Sequence, residues 1–331
     1  MSKKDACRIA VAAFAITAVM WLGATAKAQG LKSVADDCAQ KAECLHDLGL
    51  GYADQGRYEE GIKIIKKAIQ LAPNDARFYN DLGFVYYSSR RHGEAVASYL
   101  DAIRLRSDYA VAWNNLSMAY SASGDIESAV KALRQALIIR PDYSRAFYNL
   151  GTTYYKIGQT AQAVEALRNA IGLDPLFADA YLSLGIIQTE SGDYAHAAET
   201  LKQAAALKPG SPTIYRSLGL AYQKADRLLD AIEAYRKALS INQDAEVYNN
   251  LGVAYDLLDR PRAAVESYRQ AIDLKPNYGE AYYNLAIAHL RIGEKEKALA
   301  QYAALKKFAP DLAEVLFGVM CQDKILNAAR K

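Results

Sequence analysis

A leucine followed by a small residue recurs along most of the chain at a nearly constant distance. The pair stands at Leu150-Gly151 in the stretch from Ser144 to Phe177. The step from one pair to the next is 34 residues, with one step of 33 between Leu218 and Leu251. A period of this length predicts an array of short structural repeats in place of one central core. The leucines of the eight pairs are Leu48, Leu82, Leu116, Leu150, Leu184, Leu218, Leu251 and Leu285.

Each repeat also carries aromatic residues, alanines and a proline at fixed distances from this leucine. An apolar or aromatic residue stands three positions before it and a tyrosine, in most repeats, four positions after it, so these side chains share one stripe of a first helix. Alanines such as Ala163 and Ala170 mark the close contact face of a second helix. A proline such as Pro175 ends that helix because it has no amide hydrogen. The pattern predicts antiparallel helical hairpins.

These positions resemble the tetratricopeptide repeat (TPR) almost residue for residue. The departures are Gln188 and His289 in place of the usual tyrosine, Ser107 in place of a proline, and a sixth repeat that is one residue short. The resemblance implies an all-α fold, a right-handed TPR superhelix or α-solenoid of about eight helix-turn-helix repeats. We count repeats at 42–75, 76–109, 110–143, 144–177, 178–211, 212–244, 245–278 and 279–312.

The residues after the last repeat predict a helix that covers the open end of the array. Asp311 and Glu314 are spaced as an N-cap and its capping box. An apolar stripe follows, so we expect a capping helix over 313–331 that shields the last repeat from solvent. The residues of the stripe are Leu312, Val315, Leu316, Val319 and Met320.

Residues 1–28 have the layout of a secretory signal peptide. A basic start is followed by an apolar run from Ile9 to Leu22 and by the small-x-small site Ala26-Lys27-Ala28. The alternative is an uncleaved membrane anchor over residues 9–26. With cleavage, residues 29–41 form an N-terminal extension, the protein is exported to the periplasm or the extracellular space, and the remaining chain has no membrane span.

The small net charge of the chain argues against a partner that is attracted by the overall charge of the protein. Lysine and arginine number 40 and aspartate and glutamate 37, and residues 1–28 hold four of the bases and one of the acids. The remaining chain is therefore close to neutral, which argues against nucleic acid as a partner. The sequence predicts no oligomeric state.

Three cysteines remain after removal of the leader. If the first helix begins after Cys38, a disulfide between Cys38 and Cys44 is possible in an oxidising compartment; the alternative is free thiols. The histidines lie in separate repeats without other ligands at metal-binding spacing, so we expect neither a metal nor a cofactor. No catalytic motif stands out, and we expect a protein that is not an enzyme.

In TPR proteins the first helices line the concave face of the superhelix, and the resemblance places two positions per repeat there. Asparagine offers both a donor and an acceptor, which suits an extended peptide backbone. Asn115, Asn149, Asn250 and Asn284 resemble the asparagine ladder of O-linked N-acetylglucosamine transferases; the alternative is that these asparagines are only tolerated polar residues. The predicted partner-binding groove consists of Asn80, Asn114, Asn115, Asn149, Asn249, Asn250, Asn284, Tyr87, Tyr148, Tyr155 and Tyr283.

Together these features predict a non-enzymatic protein–protein interaction scaffold of the cell envelope. It would bind a partner protein or an extended peptide in its groove and assist the assembly of an envelope or secretion complex, as exported bacterial TPR proteins do. The alternative is an accessory subunit or relative of a TPR-containing glycosyltransferase.

Overall fold

The computed structural model describes the backbone of residues 41–328 and the side chains of residues 41–321. These residues form helices and turns without any strand, which confirms the predicted all-α repeat fold. The first and second helices alternate in eight hairpins, and a single helix follows them. The helices are α1 Ala42–Asp54, α2 Tyr58–Leu71, α3 Ala76–Ser88, α4 His92–Leu105, α5 Ala110–Ala122, α6 Ile126–Ile139, α7 Ser144–Lys156, α8 Thr160–Leu173, α9 Ala178–Glu190, α10 Tyr194–Leu207, α11 Pro212–Lys224, α12 Leu228–Ile241, α13 Ala245–Leu257, α14 Pro261–Leu274, α15 Gly279–Arg291, α16 Lys295–Phe308 and α17 Pro310–Ala328.

The chain divides into two compact units, and the boundary lies within α7. Unit 1 ends at Thr153 and unit 2 begins at Tyr154. In unit 1 the core is formed where first helices meet second helices, with Tyr99 almost fully buried at its centre. Unit 2 repeats the arrangement around Tyr235 and Tyr268. Burying each side chain of this size contributes about 2 kcal/mol of hydrophobic free energy.

The small residue after each signature leucine lets a large side chain of the second helix lie against the first. A Cβ atom on Gly83 would stand 2.7 Å from Cε1 of Tyr99, and one on Gly219 would stand 2.5 Å from Cε1 of Tyr235. Atoms that are not bonded do not approach this closely, so the buried ring occupies the space that the glycine leaves open. The prediction that these small residues mark contact faces is confirmed.

The turn inside each hairpin needs one residue with a left-handed backbone conformation. Five repeats place glycine there, among them Gly56 and Gly192, with φ of 76° and 82°. Arg90, Asp226 and Asp259 take the same conformation with φ between 55° and 63°. Glycine adopts this region without steric cost, whereas the other three residues carry local strain.

Helix ends follow the sequence signals in most places. Pro212 and Pro261 occupy the first turns of α11 and α14, as expected for a residue without an amide hydrogen. Asp125 caps α6 and accepts a hydrogen bond from the backbone N of Ser128 at 3.1 Å. Asp193 precedes α10, but its carboxylate pairs with Nδ1 of His196 at 2.7 Å and makes no capping bond.

The C-terminal helix differs from the prediction in two respects. It begins at Pro310 and not at 313, so Asp311 lies inside the first turn and its interpretation as an N-cap is wrong. Leu316 and Met320 are buried against the last hairpin, whereas Val315 is 56% exposed. Val315 therefore does not belong to the packed stripe, because α17 turns only one narrow face toward α15 and α16.

Candidate functional site

The first helices of successive repeats contact one another directly. In unit 1, α1 contacts α3 and α3 contacts α5. In unit 2, α9 contacts α11, α11 contacts α13, and α13 contacts α15. The second helices pack behind them. The surface that a row of first helices presents is here named the first-helix face, and each unit has its own.

Asparagine pairs join neighbouring first helices across this face. Asn115 Nδ2 donates to Asn80 Oδ1 at 3.0 Å, and Asn149 Nδ2 donates to Asn114 Oδ1 at 2.8 Å. In each pair the donor stands one position before the signature leucine and the acceptor two positions before the leucine of the preceding repeat. We call such a contact an amide clamp. In unit 2, Asn284 Nδ2 and Asn249 Oδ1 form the same clamp at 3.0 Å.

Three of the four asparagines of the predicted ladder are donors in amide clamps. The acceptors Asn80, Asn114 and Asn249 are buried, and the donors Asn115, Asn149 and Asn284 are half-buried. The clamps use donors and acceptors that a bound peptide would otherwise share. The partner-binding role of these residues stays a prediction.

Asn250 is the exception among the predicted ladder residues. The acceptor position of the preceding repeat holds Arg216, whose Nη1 pairs with Glu246 at 2.7 Å. Within the described part of the chain, the Asn250 amide makes no hydrogen bond, and it is half-buried. Its donor and acceptor are therefore both available to a partner.

At the start of unit 1 a histidine and a carboxylate replace the asparagine pair. His46 Nε2 lies 2.8 Å from Asp81 Oδ2, its Nδ1 lies 3.3 Å from Asp47 Oδ1, and its ring stacks on Phe78. Burial by itself lowers the pKa of His46. The hydrogen bond to Asp81 and the negative charges of Asp81 and Asp47 outweigh burial, and the pKa is raised.

A second set of polar contacts joins neighbouring first helices nearer their C-terminal ends in unit 2. The hydroxyl of Tyr155 donates to Glu190, and this bond raises the pKa of Tyr155 to about 12. Arg291 donates to Asp256 at 2.9 Å. The residues of each of these pairs stand 35 apart, the same separation as in the amide clamps. The amide clamps and these C-terminal contacts therefore share one sequence separation of 35 residues.

The four predicted groove tyrosines are all half-buried. Tyr87 packs against the core of unit 1 and its ring lies 5.4 Å from that of His92. Tyr283, on α15, packs against the apolar cluster that α15, α16 and α17 form. Tyr155 donates a hydrogen bond to Glu190, and Tyr148 also interacts with another residue. Their contact with a partner protein stays a prediction.

An apolar stripe on the first-helix faces was not among the predicted site residues. It consists of the residue two positions after each signature leucine, and several members are exposed: Phe84 by 48%, Met118 by 36% and Leu220 by 37%. Their regular step along the chain could have revealed them, because they follow the same period as the leucines. The apolar members are Leu50, Phe84 and Met118 in unit 1 and Ile186, Leu220, Val253 and Ile287 in unit 2.

Cys44 at the start of α1 takes part in a disulfide bond, whereas its predicted partner Cys38 lies outside the described residues. The pairing of the two stays a prediction. Cys321 carries a free thiol. Among the described residues, no group of histidine, cysteine and carboxylate side chains could hold a metal ion.

The predicted signal peptide, residues 1–28, and the extension at 29–41, apart from its last residue, also lie outside the described part of the chain. In the part that the structure describes, none of the helices combines the length and the apolar character that a membrane span requires.

Five family models, described as tetratricopeptide repeat or TPR repeat, match the chain. The matched residues are 49–89, 76–109, 118–158, 148–212, 210–277, 262–293 and 280–311. Together these matches span residues 49–311 except for a gap at 110–117. No curated protein sequence matches the chain significantly.

Three solved structures are similar to the chain at low sequence identity. Pseudomonas aeruginosa PilF is 18% identical with a TM-score of 0.56, over 62% of this chain and 95% of its own. The Cut9–Hcn1 hetero-tetramer of the APC/C is 20% identical with a TM-score of 0.55, over 88% of this chain and 58% of the matched one. YrrB, described as a TPR protein with an unusual peptide-binding site, is 24% identical with a TM-score of 0.46, over 55% and 94%. The PilF and Cut9–Hcn1 matches, whose TM-scores exceed 0.5, establish the fold alone.

Proposed function

Because the chain belongs to the tetratricopeptide repeat family, we propose that it is a protein-interaction scaffold whose first-helix faces bind segments of other polypeptides. The observation that carries this proposal is the apolar stripe. Phe84, Met118 and Leu220 expose a third to a half of their surface, although the repeats around them are well packed. Exposed apolar side chains that repeat at one position of neighbouring helices are typical of protein interaction sites.

The polar groups beside the stripe support the same function. Half-buried Asn250 keeps a donor and an acceptor for a peptide backbone. The amide clamps tie successive first helices together, so the face is ordered before a partner arrives. A preorganised face loses less conformational entropy on binding, which favours affinity.

Photo-crosslinking in the native host tests this function. A photoreactive amino acid replaces Phe84 or Leu220 on the first helices, and a control variant carries it at Ile138, an exposed apolar residue of the second helix α6. We expect polypeptide adducts from positions 84 and 220 and none from position 138. Equal labelling at all three positions, or none at 84 and 220, would contradict the proposal.

We propose in addition that the scaffold acts in the cell envelope and assists assembly of an envelope or secretion complex. The basic start, the apolar run and the small-x-small site of residues 1–28 support export. Cell fractionation followed by N-terminal sequencing provides the test. The mature protein should begin at Gln29 in the periplasm or medium, and a chain that begins at Met1 in the cytosol would contradict export. Identification of the crosslinked polypeptides tests the assembly role.

A further inference from the structure

The first-helix face of unit 1 combines its apolar stripe with a row of acidic side chains. Asp47 and Asp81 stand three residues before Leu50 and Phe84, a spacing that puts each acid beside an apolar residue on the same side of its helix. The Asp47 side chain is 63% exposed and the Asp81 side chain 28%. The contact of His46 with Asp81 fixes α1 beside α3, so the two carboxylates belong to one continuous surface.

The basic groups Arg77 and His46 leave this surface negative. Arg77 Nη2 is engaged by Glu43 and by Asp75, each at 2.6 Å, so its charge is matched outside the stripe. His46 lies between the two aspartates. When His46 is protonated the three groups still carry one net negative charge, and when it is neutral they carry two.

Unit 2 provides an internal comparison because it has the stripe without the acids. The four positions that correspond to Asp47 and Asp81 are all uncharged there: Ser183, Ser217, Asn250 and Asn284. On α11, Leu220 is flanked by Lys224 and by Arg216, whose charge is matched by Glu246. The two faces therefore have similar apolar chemistry but different charge.

We propose that the first-helix face of unit 1 binds partner segments in which lysine or arginine stands beside large apolar side chains. This inference rests on the proposed scaffold function and adds that the scaffold selects its partner segments by charge. Leu50, Phe84 and Met118 supply the apolar contact. Asp47 and Asp81 attract the basic groups and disfavour acidic segments, because like charges placed together are repelled.

Synthetic peptides with opposite charge test the selectivity on the full chain. One fluorescent peptide repeats Gly-Leu-Ser-Lys, and the matched peptide carries glutamate in place of lysine. Fluorescence anisotropy should give about tenfold tighter binding of the lysine peptide, since two screened charge contacts are each worth a factor of a few. The preference should weaken as salt is raised.

Two sets of variants locate the effect. Asp47→Asn/Asp81→Asn should remove most of the preference for the lysine peptide. The variant should fold, because an asparagine at position 81 would face His46 as Asn115 faces Asn80. The control Asp108→Asn/Asp142→Asn removes the same net charge from exposed turns of unit 1 and should leave binding unchanged.

The apolar contribution has its own matched pair. Phe84→Ser should weaken binding of the lysine peptide about tenfold, whereas Leu220→Ser in unit 2 should have little effect. The inference is overturned if the two peptides bind equally, if neither binds, or if the control variants match the test variants. Crosslinking from position 84 decides the scaffold function separately, so either result can stand without the other.

Discussion

At the level of single residues, the amide clamps change what an asparagine on this surface does. Asn115, Asn149 and Asn284 resemble ligand-binding residues in sequence, yet each donates to a buried asparagine of the preceding repeat. A buried amide oxygen that loses its donor costs free energy, because no water replaces the bond. Asn250 is the ladder residue whose side chain is not used in this way.

We predict that Asn149→Ala destabilises the protein, whereas Asn250→Ala does not. The first substitution leaves Oδ1 of Asn114, a residue only 1% exposed, without its donor at a cost of about 1–3 kcal/mol. The second removes no hydrogen bond and should cost under about 0.5 kcal/mol. Thermal unfolding followed by circular dichroism measures both. Equal melting temperatures for the two variants would show that the clamp does not stabilise the array.

Two buried histidines should make opposite contributions to the pH dependence of the free energy of unfolding. The pKa of His46 is raised in the folded protein above its ordinary value of 6.5, so its stabilising contribution is complete below that value and is lost as pH rises through the folded pKa. For His289, burial lowers the pKa below 6.5, so its contribution is present at high pH and is lost as pH falls.

The measurement compares the wild type with His46→Gln and with His289→Gln at a series of pH values between about 5 and 8. The stability advantage of the wild type over His46→Gln should shrink as pH rises, and its advantage over His289→Gln should grow. Because each comparison subtracts the other titrating groups, parallel slopes would show that the two environments do not differ.

At the level of the helix, the glycine after the signature leucine sets the distance between the two helices of a hairpin. We predict that Gly219→Ala destabilises the protein by about 1–3 kcal/mol, since its Cβ would meet the buried Tyr235 ring at 2.5 Å. Gly172→Ala is the control, because an added Cβ there meets no atom within 4 Å and α8 is otherwise regular.

The control should stabilise the protein by up to about 1 kcal/mol, because alanine is the better helix former. Urea unfolding of the two variants gives the comparison. A Gly219→Ala variant as stable as the wild type would mean that the Tyr235 ring shifts without cost and that the small residue is not required there.

At the level of the whole molecule, the hairpins within each unit pack against their neighbours in sequence, and the cores of both units are built in this way. Stability in such an array is approximately a sum of repeat and neighbour terms. Unit 1 and unit 2 share one construction rule but present faces of different charge. One chain therefore presents two first-helix faces of different charge.

The sequence by itself determined the repeat, its hairpins and the positions of the core, because helix periodicity, small contact residues and helix-stopping prolines act locally within each repeat. The sequence also contains the exposed stripe and the 35-residue spacing of the clamps. Neither could be recognised as a surface or as a set of contacts without the relative positions of neighbouring first helices. Only the tertiary structure decided that Asn114 is buried and paired while Asn250 makes no hydrogen bond. Hydrogen bonds between repeats depend on the relative position of two neighbouring first helices. That position is set jointly by side chains that lie far apart in the sequence.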